Sequence, residues 1–155
     1  MRTGRLGAGL CALGVATAVV GWIAHQPDVV EHPSRTAGAR LDVLQQDPLS
    51  PEFTAFLGTT PTVTRYHCRD TPDGVEAPDI LAEYRGAHPE LLPEKVYALA
   101  RAAGWNPLFT GGPAPTEYTV QLQRSFDDWE SGAVVYVGRT EVTVDLKASA
   151  DGSCP

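Results

Sequence analysis

Nineteen consecutive residues without a charge, Leu6 to Ala24 (LGAGLCALGVATAVVGWIA), follow the short cationic stretch Met1 to Arg5 and constrain this chain more than any other feature. At 1.5 Å per residue a helix of that run measures roughly 28 Å, about the thickness of bilayer hydrocarbon. Trp22 stands where interfacial aromatic anchors sit. Arg2 and Arg5 precede the span while Asp28 and Glu31 follow it, the positive-inside order. The expectation is an uncleaved single-pass anchor over 1–24, meeting the bilayer through residues 6–24, with the N-terminus cytoplasmic and the C-terminal domain extracytoplasmic. The alternative is a cleaved signal peptide and a secreted product. Ala16-Thr17-Ala18 is the one fair small-x-small site, but cutting there leaves Val19 to Ala24 as an apolar new N-terminus. Cys11 is a poor lipid acceptor, because Leu10 precedes it and only Leu6 to Leu10 separate it from Arg5. It reads as a small apolar side chain within the span.

Export decides how the remaining cysteines are read. Cys68 and Cys154 are the pair left outside the span, and an oxidising compartment turns such pairs into disulfides. Closing a loop of that length is worth up to about 4–5 kcal/mol on the chain-entropy estimate. No C-x-x-C occurs, so a redox role has no partner thiol. The formal charge is −7, and setting aside Arg2 and Arg5 leaves 10 basic against 19 acidic side chains. That surface is a poor partner for nucleic acid or anionic headgroups.

Residues 25–48 (HQPDVVEHPSRTAGARLDVLQQDP) have little periodicity and several breakers, so they are read as an extracytoplasmic stalk with at most a short helical turn around Ala39 to Gln45. A single domain is expected over 49–155. Ser50-Pro51-Glu52 reads as a helix start with Ser50 as N-cap, Gly58 as its stop, and Phe53, Phe56 and Leu57 on one face. Thr62 to Cys68 and Ile80 to Arg85 read as two strands of a hairpin, with Tyr66 and Cys68 on one face and Thr71-Pro72-Asp73-Gly74 as a turn in the long connection. The best helical stripe is Val96, Leu99, Ala100 and Ala103, starting near Leu92-Pro93 and closed by Gly104 and Trp105. Asn106 to Pro115 (NPLFTGGPAP) is predicted to be a mobile loop. The alternations Tyr118/Val120/Leu122, Ala133 to Val137, and Val142/Val144/Leu146 predict a three-stranded antiparallel meander, with a polar turn at Asp127 to Gly132. The predicted fold is α+β in two layers. An antiparallel sheet, hairpin plus meander, is covered by one main helix and preceded by the N-terminal transmembrane helix.

The run Ala100-Arg101-Ala102-Ala103-Gly104-Trp105 after two strands, then a meander and a cysteine near the C-terminus, resembles small anchored or secreted domains of uncharacterised function common in actinobacteria. The resemblance covers Pro61 to Pro155 and implies no activity.

Catalytic and metal-binding patterns do not emerge. His25 and His32 fall in the stalk, His88 in a pre-helical loop and His67 beside a cysteine, with no H-x-x-x-H or C-x-x-C spacing. Asp127, Asp128 and Glu130 are interrupted by Trp129, unlike a calcium loop. Ser125 and Ser131 lack a nucleophile motif, and Glu83 with Glu141 is a carboxylate pair only under one strand order. Gly111-Gly112-Pro113 has no lysine or following helix to make a phosphate loop. No catalytic residue, metal or cofactor is therefore expected. The expected function is a membrane-anchored, non-enzymatic extracytoplasmic domain serving as an interaction or accessory subunit of the cell envelope. The alternative is a module binding a small molecule or cell-wall component through the sheet face or the groove beside residues 106–115, with Trp105, Phe109 and Trp129 as contact aromatics. A hydrolase without a recognisable motif comes third.

Overall fold

The computed structural model of the protein describes residues 31–32, 34–71, 74–86, 88, 90–114, 116–148 and 154. The expected anchor, the site Ala16-Thr17-Ala18 and the first part of the stalk lie outside these residues. Among the described residues no helix is long and apolar enough to cross a membrane.

Period-two alternation does most of the building. Strands β7 (Glu117–Ser125), β8 (Glu130–Val137) and β9 (Glu141–Ala148) form the expected antiparallel meander. Strand β5 (Asp79–Arg85) adds to β9, and β2 (Thr62–Tyr66) pairs with β5 as the expected hairpin. The register stacks apolar rows across the sheet: Tyr118, Val137, Val142 and Tyr84; Val120, Val135, Val144 and Ala82; Leu122, Ala133, Leu146 and Ile80. All twelve side chains are buried. Each large one contributes roughly 1.5–3 kcal/mol through removal from water.

The α+β class holds, and four finer expectations about layers and strands are corrected. First, three helices cover the sheet rather than one. Helix α3 (Pro93–Ala102) lies against β7 and β6 (Asn106–Ala114), α2 (Leu49–Leu57) against α3, and α1 (Arg35–Gln45) against β5 and β9. Second, the stretch read as a stalk is core from Ser34 onward. Ser34 Oγ accepts from the Ala37 amide at 3.0 Å as N-cap, and Ala37, Leu41 and Leu44, at i, i+4 and i+7, are buried.

Third, Asn106 to Ala114 is not a loop but the edge strand β6, bonded to β7 through two register shifts. Its prolines and glycines hid a strand that tolerates them because its outer side needs no ladder partner. The sheet order is β2-β5-β9-β8-β7-β6. Fourth, Thr62 to Cys68 is not one strand. It breaks at His67, and Cys68 opens β3 (Cys68–Thr71), which pairs with β1 (Glu31–His32) and β4 (Gly74–Glu76) in a second, small sheet. Tyr66 and Cys68 therefore share no strand face.

Helix ends obey local rules with one exception. After α3, Gly104 takes φ +82°, the Trp105 amide donates to Ala100 O at 2.8 Å, and the Gly104 amide to Arg101 O at 3.0 Å, the paired bonds of a left-handed C-cap. Gly58 closes α2 at φ +64°. Ser50, expected as the N-cap of α2, instead lies inside the helix; Pro48 holds the N-cap position without a side-chain bond, and Asp47 Oδ1 just before it accepts from the Leu49 amide at 2.9 Å.

Cys68 and Cys154 are joined, with Cα atoms 5.6 Å apart across 86 residues of sequence. The bond fastens the small sheet to the tail beyond β9.

Candidate functional site

The face of the main sheet opposite the helices is built from the alternate residues of the same strands. Its register reads Gln123, Gly132, Lys147 and Asp79 in one row, and Gln121, Val134, Asp145 and Leu81 in the next, with Phe109 of β6 opposite Gln121. A Cβ placed on Gly132 would meet nothing within 4 Å, so the glycine leaves a floor between taller neighbours. The result is a shallow groove of about 400 Å³ walled by Leu108, Gln121, Gln123, Val134 and Lys147. Gln123 Nε2 donates to Glu130 Oε2 at 2.8 Å along its rim.

Strand β6 divides this groove from a second one of about 560 Å³ on its other side, lined by Leu92, Pro93, Glu94, Thr110, Gly112 and Tyr118. Tyr97 and Thr110 are hydroxyl-bonded to each other near the junction of α3 and β6, and Tyr118 Oη donates to Leu91 O at 2.7 Å. Burial raises the Tyr118 hydroxyl above its ordinary range, with Glu94 and Tyr97 adding to the shift, so it stays protonated. A Cβ on Gly112 would stand 2.4 Å from Glu117 O, so only glycine lets β6 approach β7 there. The strand carries no charge, and Leu108 and Phe109 are each 61% exposed on it.

The three expected contact aromatics do not converge on one surface. Phe109 is exposed on β6, opposite Gln121. Trp105 is 1% exposed in the core, where its Nε1 donates to Asp47 Oδ1 at 2.9 Å, so it offers no surface to a ligand. Trp129 is partly buried at the β7–β8 turn, stacked on Phe126 with centroids 4.3 Å apart and with the Arg40 guanidinium 5.2 Å from its ring. Trp105 and Trp129 instead belong to one structural chain, because Asp47 Oδ2 accepts from Arg124 Nη1 at 2.6 Å and Arg124 lies 5.0 Å over Phe126.

The groups weighed for chemistry are placed as follows. His67 sits at the β2–β3 junction with Nδ1 buried and unpaired, while His88 meets Glu90 at 3.3 Å. Ser131 is buried and donates to Lys147 O at 2.7 Å, a structural bond. Glu83 pairs in register with Thr143 and Glu141 with Arg85, which sets the two glutamates diagonally on the groove face. No three His, Cys, Asp or Glu side chains among the described residues form a metal-holding group.

Sequence reasoning missed the carboxyl pair that the fold does bring together, Asp79 and Asp145. Asp79 is 4% exposed, and burial, helped by the charge of Asp145, raises its carboxyl to about 6 against the pull of Arg69 and Lys147. No local signal marks this pair, since 66 residues of sequence separate Asp79 from Asp145 and only the β5–β9 register makes them neighbours.

Compared with known proteins, the chain matches no family model and no curated protein.

Proposed function

We propose that this chain is a non-enzymatic extracytoplasmic domain, tethered by its apolar N-terminal segment, that binds another envelope protein through β6 and the grooves beside it. The observation that carries this reading is the side-by-side exposure of Leu108 and Phe109 on an uncharged edge strand. Large apolar side chains exposed together, rimmed by polar residues such as Gln121, Gln123 and Lys147, are the pattern of a protein-binding surface. The Cys68–Cys154 bond supports an oxidising compartment. The opposite edge, β2, supplies the comparison, with Val63 54% exposed beside the charged Arg65.

The test places a photo-crosslinking residue at position 109 or at position 63 in the full chain in intact cells. A defined adduct from 109 that disappears with Leu108→Asp supports the reading. Equal adducts from both positions, or none from 109, defeat it.

Binding of a polar small molecule or cell-wall fragment is the second reading, favoured by the open floor at Gly132 with hydrogen-bonding Gln121, Gln123 and Lys147 around it and Phe109 at one side. Gly132→Trp would fill that floor. Loss of fragment binding with the position-109 adduct retained would favour this reading over the first.

A further inference from the structure

On the groove face, Asp79 of β5 and Asp145 of β9 are diagonal neighbours, because Asp79 pairs with Lys147 and Leu81 with Asp145. The Asp79 side chain is only 6% exposed. Its strongest cation is shared: Arg69 Nη2 holds Glu76 Oε2 at 2.8 Å and reaches Asp79 only at 3.5 Å. Across from it, Lys147 Nζ takes Asp145 Oδ2 at 3.3 Å, while Asp145 Oδ1 is buried with no hydrogen-bond partner. Tyr66, opposite Asp79 on β2, has the Arg69 guanidinium 4.0 Å over its ring and supplies no charge. Among the described residues, the groups facing Asp79 are therefore Arg69 from the small sheet, with Glu76 on its far side, Tyr66 from β2, and Asp145 and Lys147 from β9.

Two carboxylates at such a site satisfy each other only if one is protonated, for an ionised pair has acceptors alone. We propose that Asp79 and Asp145 hold one proton between them, donated from the Asp79 carboxyl to the unpaired Asp145 Oδ1, and that this pair is a pH-sensitive clasp joining β5 to β9. With the proton held, the orphaned oxygen gains a donor and Asp79 carries no charge into its buried site. With the proton lost, two like charges face each other and Arg69 is divided between Asp79 and Glu76. The domain is thus held more tightly in mildly acid surroundings than at neutral pH, opposite to the usual effect of a salt-bridged carboxylate. Burial and the Asp145 charge are the two largest causes of the upward shift of Asp79 to about 6, consistent with this geometry.

The experiment follows the side-chain carboxyl carbons of Asp79 and Asp145 by NMR from pH 4 to 8 in the full chain in detergent micelles, with Asp145→Asn as the comparison. The expected result is an Asp79 midpoint near 6, with the Asp145 carbon responding at that same midpoint. In Asp145→Asn the Asp79 midpoint is expected to fall by about one unit as the like charge is removed. An ordinary midpoint for Asp79, or an Asp145 carbon that does not respond at the Asp79 midpoint, overturns the proposal. So does an Asp79 midpoint unmoved by Asp145→Asn. If that variant does not fold, the paired response of the two wild-type carbons decides alone.

Discussion

Asp47 and Arg124, 77 residues apart in the chain, meet at 2.6 Å between Oδ2 and Nη1, and around that contact the helical layer is fixed to the sheet. The Asp47 side chain is fully buried, yet both its oxygens are used: Oδ1 accepts from the Leu49 amide and Trp105 Nε1, and Oδ2 from Arg124. Arg124 also donates to Ala103 O at 2.9 Å, closing the carbonyls at the end of α3. One carboxylate thus satisfies the first amide of α2, orients Trp105 and anchors β7. Asp47→Ala is expected to lower unfolding stability by about 3 kcal/mol or more, since it strands a buried indole N–H and the first amide of α2 and leaves Arg124 without its buried carboxylate. Urea unfolding of variant and wild type measures it, and a loss below about 1 kcal/mol would show the network to be incidental.

Asp79 gives stability an unusual dependence on pH. Its folded value of about 6 lies above the ordinary 3.8, so between those values the folded protein binds more protons than the unfolded one. The contribution of this group is complete below the lower value and is lost as pH rises through the upper one. Asp79→Asn, which keeps a neutral side chain at every pH, is expected to gain stability relative to wild type by on the order of 2 kcal/mol between pH 4 and pH 7.5. Denaturation curves at the two pH values report the difference. A constant offset between the two proteins would be the contrary result.

The Cys68–Cys154 bond closes 86 residues of sequence and ties the small sheet to the C-terminal tail. Cys154→Ser is expected to lower stability by about 2–4 kcal/mol, chiefly by releasing the unfolded chain. Reductant should then lower the unfolding midpoint of wild type and leave Cys154→Ser unchanged. Non-reducing mass spectrometry of the full-length protein with both thiols alkylated would show the bond not to form.

Two glycines, on the strands β6 and β8 that flank β7, should behave in opposite ways. Gly112→Ala drives a Cβ to within 2.4 Å of Glu117 O and 2.5 Å of Tyr118 Cα, backbone atoms that cannot swing aside. A loss of about 2 kcal/mol or more is expected there. Gly132→Ala opens onto empty space, and its effect should stay within about 0.5 kcal/mol. Thermal melts of the two variants make the comparison.

The sequence by itself determined the elements whose physics is local. Alternation in β7, β8 and β9 set the meander, and the stripe Val96, Leu99, Ala100 with Gly104 and Trp105 set α3 and its end. Export, inferred from residues 6–24, singled out Cys68 and Cys154, which the structure joins. Elements stabilised by distant partners were not legible. Helix α1 has a weak stripe, and burial of Leu41 and Leu44 against β5 and β9 holds it. Strand β6 reads as a loop because Pro107, Gly111, Gly112 and Pro113 lower its intrinsic strand preference, and pairing with β7 overrides them.

The same division runs through the site. Phe109 stands in an uncharged, breaker-rich stretch and is 61% exposed. Trp105 looked alike in sequence, but Asp47, 58 residues away, supplies the buried partner that its indole N–H requires. Only tertiary structure decided that Asp47 and Arg124 meet, that Gly132 becomes the floor of a groove, and that Asp79 and Asp145 share a face. Spacing within one strand or helix is written in neighbouring residues, whereas strand order and register arise from closing the whole core at once.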